Sequence, residues 1–209
     1  MNLFMNSISS HNVTRREFLN VVGATGITLS LGVAPGAQAA ADKKIPVGLQ
    51  LYSVREQCKN DLAGTLAAVS KIGYRGVEFA GYHGRNAKEL RKLLDDNGLI
   101  ACGTHTPYES VLGDKLKETV EFNRTIGNPY LIVPWMNETK SKQEWLKRAN
   151  LFNDIADKVK ADNMWVGYHA HAHDFKQVEG ESAWDLFFGN TKAEVIMQLD
   201  TGNCWAGGA

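Results

Sequence analysis

Six short apolar runs, the first five each followed by a longer amphipathic stretch, repeat from Ile45 onward, and this period constrains the fold more than any other feature of the sequence. Continuous apolar runs of this length read as parallel strands buried on both faces, and the stretches between them read as helices covering the sheet. The expected strands are 46–52 (PVGLQLY), 75–80 (RGVEFA), 99–104 (LIACGT), 130–135 (YLIVPW), 164–169 (MWVGYH) and 195–200 (VIMQLD). The expected helices are 62–72, 87–96, 112–126, 143–161 and 182–188, with Gly73, Asn97-Gly98 and Gly127-Asn128 as stop signals.

Right-handed crossovers leave two architectures, a doubly wound sheet or a barrel. The doubly wound sheet gathers its chemistry at one switch point, with a glycine-rich phosphate loop early in the chain, and no such loop is written here. Polar residues stand instead at the ends of successive strands. Tyr52 and Arg55 follow the first, Glu78 lies in the second, His105 follows the third and Trp135 ends the fourth. His169 and His171 end the fifth, and Asp200 ends the sixth; all are expected to point into one basin. The expected fold is therefore an α/β TIM (β/α)8-type barrel over residues 45–209. Such a barrel takes about 250 residues, so the sequence reads as truncated after about the sixth strand.

The segment before this domain has its own logic. Thr14-Arg15-Arg16-Glu17-Phe18-Leu19 precedes an apolar stretch from Val21 to Ala34 that is diluted by Gly23, Gly26 and Gly32. That stretch is too short and too weakly apolar for a stable membrane span. Ala37-Gln38-Ala39 supplies the small residues of a cleavage site. Residues 1–40 resemble a twin-arginine signal peptide, which implies passage through the twin-arginine translocase and a periplasmic protein.

Composition excludes some partners. Lys plus Arg equals Asp plus Glu at 23 each, and removing residues 1–40 leaves the domain neutral to within one charge. No basic field is present to attract nucleic acid or anionic lipid. Cys58, Cys102 and Cys204 are odd in number and widely spaced, so they read as core or loop thiols, buried rather than bridged.

The densest titratable cluster is Tyr168-His169-Ala170-His171-Ala172-His173-Asp174. If the strand continued, alternation would put its three histidines on one side; Asp200 stands one barrel step away. Imidazole and carboxylate together are usual ligands of Mn, Zn or Fe. The competing reading is a solvated histidine-rich turn with Asp200 capping the next segment. Glu78 inside a barrel mouth is costly unless paired, hydrogen-bonded or metal-bound. His105 suits a structural role nearly as well as a catalytic one. Tyr52, Trp135, Tyr108 and Trp205 offer ring faces on which sugars stack, though aromatics at a barrel mouth equally serve packing.

Gly48-Leu49-Gln50-Leu51-Tyr52-Ser53-Val54-Arg55, Gly76-Val77-Glu78-Phe79, Gly103-Thr104-His105, Gly167-Tyr168-His169 and Leu199-Asp200-Thr201-Gly202-Asn203 together resemble the sugar phosphate isomerase/epimerase family of xylose isomerase-like barrels. The resemblance implies one divalent metal ion (Mn, Zn, Mg, Co or Fe) in the barrel mouth and a small-molecule sugar substrate. It implies His169 and Asp200 as ligands, Glu78 and His105 as catalytic or orienting groups, and Tyr52, Trp135 and His171 as substrate contacts. Exported relatives commonly read Tyr-His-Asn-His with a later Glu-Phe, where this chain has Ala170 for the asparagine and Asp174 for the glutamate.

The activity so implied is isomerisation or epimerisation of a sugar, in which a chelated carbonyl and hydroxyl acidify the C–H between them and a carboxylate moves the proton. The family's base glutamates on strands five and eight have no counterpart in this sequence, which makes a metal-assisted lyase or hydrolase acting on an oxidised glycoside the enzymatic alternative. A non-catalytic exported sugar-binding protein is a third reading. The same fold hosts DNA endonucleases, and the neutral surface argues against that branch. Self-association into a homo-oligomer is left open by the sequence.

Overall fold

The computed structural model describes residues 45–209, so the signal-peptide expectation for residues 1–40 lies outside the described residues. Alternation of strand and helix runs through all of them. β1 (Gly48–Gln50) enters a single-turn 3-10 helix, Leu51–Val54, and then α1 (Arg55–Asn60) and α2 (Leu62–Ile72). β2 (Gly76–Ala80), α3 (Ala87–Asp96), β3 (Ile100–His105), α4 (Lys115–Ile126) and β4 (Tyr130–Val133) follow. The chain continues through α5 (Lys142–Val159), β5 (Trp165–His169), the short antiparallel hairpin β6 (Gln177–Val178) with β7 (Glu181–Ser182), and α6 (Ala183–Phe188). β8 (Ile196–Gln198) and α7 (Thr201–Ala206) close the described chain.

Six strands form one parallel sheet in the order β1-β2-β3-β4-β5-β8, each pairing with the next in sequence. A doubly wound sheet would reverse its order at a switch point, and no reversal occurs. The sheet is also curled. In a flat sheet β8 would lie about 19 Å from β2, four spacings of about 4.8 Å away. Instead the Gln198 side chain on β8 hydrogen-bonds Glu78 on β2 at 2.7 Å. Sequential order and curl together make the described residues a curled partial barrel of the TIM type, as the strand-end pattern predicted.

Side-chain alternation decides what faces each way. Val77 and Phe79 on β2, and Val166 and Tyr168 on β5, turn outward and are fully buried under the helices. One apolar cluster packs Phe79, Leu66, Leu90 and Leu94 between β1–β3 and α1–α3. A second packs Trp145, Phe152, Tyr168 and Phe187 between β4, β5 and α5–α6. Truncating one of the fully buried rings, Phe152→Ala for example, removes contacts worth about 3–5 kcal/mol. The inward positions Glu78, His105, His169 and Gln198 are polar and close the barrel's inner face with hydrogen bonds instead.

Local signals set the helix bounds. Asp61, Asn86, Ser141 and Ser182 each accept a main-chain N–H at a helix start, and Asn86 with Glu89 completes a capping box. Gly73 ends α2 at φ 114°, a left-handed conformation that only glycine adopts without strain. The sequence placed most elements within a few residues. All strands but β3 are shorter than expected: β1 ends at Gln50 because Leu51–Val54 turns at once, and β4 ends at Val133 before Pro134, which lacks the N–H for the ladder. α4 starts at Lys115 rather than Leu112 because Tyr108–Val111 forms a separate 3-10 turn. The β6–β7 hairpin was not foreseen.

The thiol expectation needs correction. All three cysteines are free, but only Cys58 is buried; Cys102 is exposed and Cys204 is intermediate. Cys102 faces inward over Gly48 and Gly76, a side of the sheet that periodicity had not separated from the helix-covered side. Among the described residues no helix is long and apolar enough to cross a membrane.

Candidate active site

The C-terminal ends of the parallel strands open into a cleft of about 620 Å³ lined by Gln50, Tyr52, Ala80, His105, Trp135, His169, His171, Asp200 and Asn203, among others. A cleft of similar volume lies on the helical layer between α4 and α5, remote from the strand ends and from the histidines. The strand-end cleft is where His105, His169 and His171 converge with Asp200.

Glu78 is held from two sides. Gln50 Nε2 donates to its Oε2 at 2.9 Å and Gln198 Nε2 donates to its Oε1 at 2.7 Å. His105 Nε2 lies 3.7 Å from Oε2. These amides answer the cost of burying a carboxylate. Backbone makes the room: Val77 pairs with Ala101 and Glu78 with Gly103, so Cys102 is an extra residue in β3 and the bulge sets Gly103 against Glu78. A Cβ at Gly103 would lie 2.5 Å from Glu78 Oε1.

His105 and His169 share one acceptor. Gln198 Oε1 is 3.1 Å from His105 Nε2 and 2.8 Å from His169 Nδ1, and the two rings stand 4.8 Å apart. Burial holds the pKa of His105 below its ordinary value, against the opposing pull of Glu78 and Gln198. His169 Nε2 faces Asp200 Oδ2 at 3.8 Å. Asp200 also caps α7, its Oδ1 accepting from Asn203 N–H at 2.8 Å, so capping and a place in the cleft coexist rather than compete. Asn203 Nδ2 in turn donates to Ala170 O, tying that cap to the end of β5.

The three histidines do not share one side. His169 and His171 line the cleft, whereas His173 turns away into a nearly buried position beside Asp174. The physical reason is the Ala172–Phe175 turn, which ends the strand and breaks its alternation. Trp135 stands between them, 4.8 Å from the His171 ring edge-on and 4.5 Å from His173. Among the described residues His171 Nδ1 has no hydrogen-bond partner, and burial, helped by His169 and His173, pushes its pKa down to about 4.

Trp135 is 49 % exposed and Tyr52 60 % exposed, both on the cleft's rim. Arg55 departs from expectation. Its guanidinium lies 4.6 Å over the Tyr52 ring and donates to Tyr52 O, which draws it out of the cleft. Tyr108 packs against Phe152 in the second apolar cluster, and Trp205 is exposed on α7. Six of the seven site residues that the family resemblance implied thus line one cleft, and Glu78 joins them through its hydrogen bonds. Sequence reasoning missed Gln50, Gln198 and Asn203. The first two carried a legible signal, being amides inside otherwise apolar strands.

A divalent cation has a partial set of donors here. His169 Nε2 and Asp200 Oδ2 face each other across a gap wide enough for a shared ion, and an imidazole with a carboxylate suits Mn, Zn or Fe. Among the described residues no third His, Cys, Asp or Glu joins them in a ligand cluster.

Among solved structures the chain is similar to a sugar phosphate isomerase/epimerase from Parabacteroides distasonis, with a TM-score of 0.72 and 22 % identity over 81 % of this chain and 72 % of the other. A second sugar phosphate isomerase/epimerase from that organism gives a TM-score of 0.70 and 25 % identity over 78 % of this chain and 71 % of the other. An L-ribulose 3-epimerase shares the fold at a TM-score of 0.52 and 18 % identity, over 74 % of this chain and 60 % of the other. No curated protein matches the sequence. The model of the xylose isomerase-like TIM barrel family matches residues 66–209, which span β2 through α7 and every cleft residue from Ala80 onward, and the chain belongs to that family.

Proposed function

We propose that this protein is a divalent-metal-dependent isomerase or epimerase acting on a sugar or sugar derivative. The observation that carries the reading is the His169 Nε2 to Asp200 Oδ2 pair, 3.8 Å apart on neighbouring strand ends in the cleft. His169 and Asp200 would hold the ion. Bound there, it supplies Lewis acidity to a substrate carbonyl and its neighbouring hydroxyl.

Proton transfer at the carbon between them falls to His105. Both Glu78 oxygens accept amide N–H groups, which leaves that carboxylate to orient its neighbours, while the lowered pKa keeps His105 neutral and able to accept a proton at pH 7. Tyr52 and Trp135 offer their faces to a sugar ring, and His171 offers a ring nitrogen to a hydroxyl.

β5 ends in His169 rather than a carboxylate, and this favours a second reading, a metal-assisted lyase or hydrolase of a keto glycoside that needs one base only. Metal analysis and a sugar panel run in D2O separate the two. Deuterium entering product at the carbon beside the carbonyl supports isomerisation, and product without deuterium transfers the assignment to the lyase or hydrolase. Saturable sugar binding with neither metal nor turnover defeats both.

Export belongs to the same proposal. Arg15-Arg16 before Phe18-Leu19 supports periplasmic delivery by the twin-arginine translocase. Fractionation of the full chain should show the protein retained inside the cell when both arginines are changed to lysine.

A further inference from the structure

We infer that Gln198 is a positioning residue that fixes the proton-bearing nitrogens of His105 and His169, through a directional relay that begins on a main-chain N–H. Tyr52 N–H donates to Gln50 Oε1 at 2.8 Å, so the oxygen of that amide is assigned without ambiguity. Its Nε2 therefore points the other way, and donates to Glu78 Oε2 at 2.9 Å. Glu78 Oε1 accepts from the next amide, Gln198 Nε2, at 2.7 Å. With its nitrogen committed to a carboxylate, Gln198 can present only its oxygen to the histidines.

That oxygen has no proton to give. Both imidazole nitrogens that reach it, His105 Nε2 at 3.1 Å and His169 Nδ1 at 2.8 Å, must therefore be the donors. Neutral His169 then carries its proton on Nδ1 and its lone pair on Nε2, the nitrogen that faces Asp200. Neutral His105 carries its proton on Nε2 and its lone pair on Nδ1. A free histidine side chain prefers the proton on Nε2, so His169 is held in the less common form. Second-sphere hydrogen bonds of this kind govern which nitrogen of a histidine is free to bind or to act as a base.

The relay is specified by the fold as well as by the residues. Gln50, Glu78, His105, His169 and Gln198 come from five strands, β1, β2, β3, β5 and β8, and meet only because the sheet curls. The same chain of bonds gives Glu78 a role without contact with substrate, since its charge fixes the Gln198 amide by accepting its N–H. Reversing that amide would set its oxygen against the Glu78 carboxylate, a repulsion in a site largely shielded from water.

Long-range nitrogen–proton NMR on the full chain labelled in its histidines tests this at pH 8.5, with His105→Phe and His169→Phe identifying the signals. The expected spectrum has a protonated Nδ1 and a bare Nε2 at His169, with the opposite pattern at His105. Gln198→Leu, which removes the acceptor oxygen, should return His169 to the Nε2-protonated form. A bare Nδ1 at His169 in the unaltered protein overturns the inference, whether or not the variants fold. An unchanged pattern in a folded Gln198→Leu protein overturns it equally. Because the readout needs neither metal nor turnover, failure of the metal reading leaves this result intact.

Discussion

The Tyr168 hydroxyl donates to Asp174 Oδ1 at 2.8 Å, and this bond ties the outward face of β5 to the turn that carries His171 and His173. Both side chains are fully buried. Burial and the neighbouring Asp174 push the Tyr168 pKa up, so the hydroxyl stays a donor throughout the working pH range. Removing it with Tyr168→Phe deletes the donor and leaves Oδ1 without that partner, at a cost of about 1–3 kcal/mol. Urea unfolding of the two proteins checks this. A difference under the measurement error would show that Asp174 finds another donor and that the bond does not hold the turn.

Asp174 supplies a pH test of the same corner. Its pKa is raised chiefly by burial, and hydrogen bonds from His171 N–H and Tyr168 oppose that shift without cancelling it. A carboxyl whose folded pKa lies above its unfolded value of about 3.9 adds stability below that value, and the contribution is lost as pH rises through the folded pKa. Asp174→Asn has no such titration. The stability of the natural protein relative to the variant is therefore expected to fall as pH rises above about 4, as read from paired denaturation curves. A relative stability that rises instead contradicts the assigned direction.

Metal binding can be separated from folding at Asp200. Asparagine caps a helix about as well as aspartate, so Asp200→Asn should keep the cap to Asn203 N–H and change stability by only a few tenths of a kcal/mol. It loses the anionic donor that faces His169. Zinc or manganese affinity by calorimetry is expected to drop at least tenfold, with a similar drop in His169→Ala. Full retention of affinity in both variants would place any bound ion elsewhere.

The barrel was legible because its signal is repeated: six apolar runs with polar residues at their C-terminal ends say the same thing six times. The individual residues of the cleft were legible where a titratable group ended a strand, as at His105, His169 and Asp200. Gln50 and Gln198 were overlooked because neutral amides carry no titratable chemistry of their own, and their role arises only when curling brings β1 and β8 to Glu78. His173 could not be placed from sequence for a different reason. Alternation holds only while the strand continues, and the turn at Ala172–Phe175 is set by the buried Asp174, whose partner Tyr168 lies on the far face of β5. Arg55 was misplaced because stacking on an adjacent tyrosine satisfies a guanidinium as readily as a cleft does.

Gly103 connects the barrel's geometry to the relay, and it can be tested as a pair with Glu78. The bulge in β3 brings the Gly103 backbone so near Glu78 that an added methyl would stand 2.5 Å from Oε1 and 3.1 Å from Cγ. Gly103→Ala must therefore displace a side chain whose two oxygens are both engaged, and overpacking of this kind costs about 1–3 kcal/mol. If the cost comes from the Glu78 contact, shortening Glu78 should relieve it. Gly103→Ala is then expected to be nearly neutral in a Glu78→Ala background, giving a coupling energy of about 1 kcal/mol or more between the two positions. Additive effects in that double-mutant cycle would trace the glycine requirement to the bulge itself, and would detach it from the carboxylate that the bulge admits.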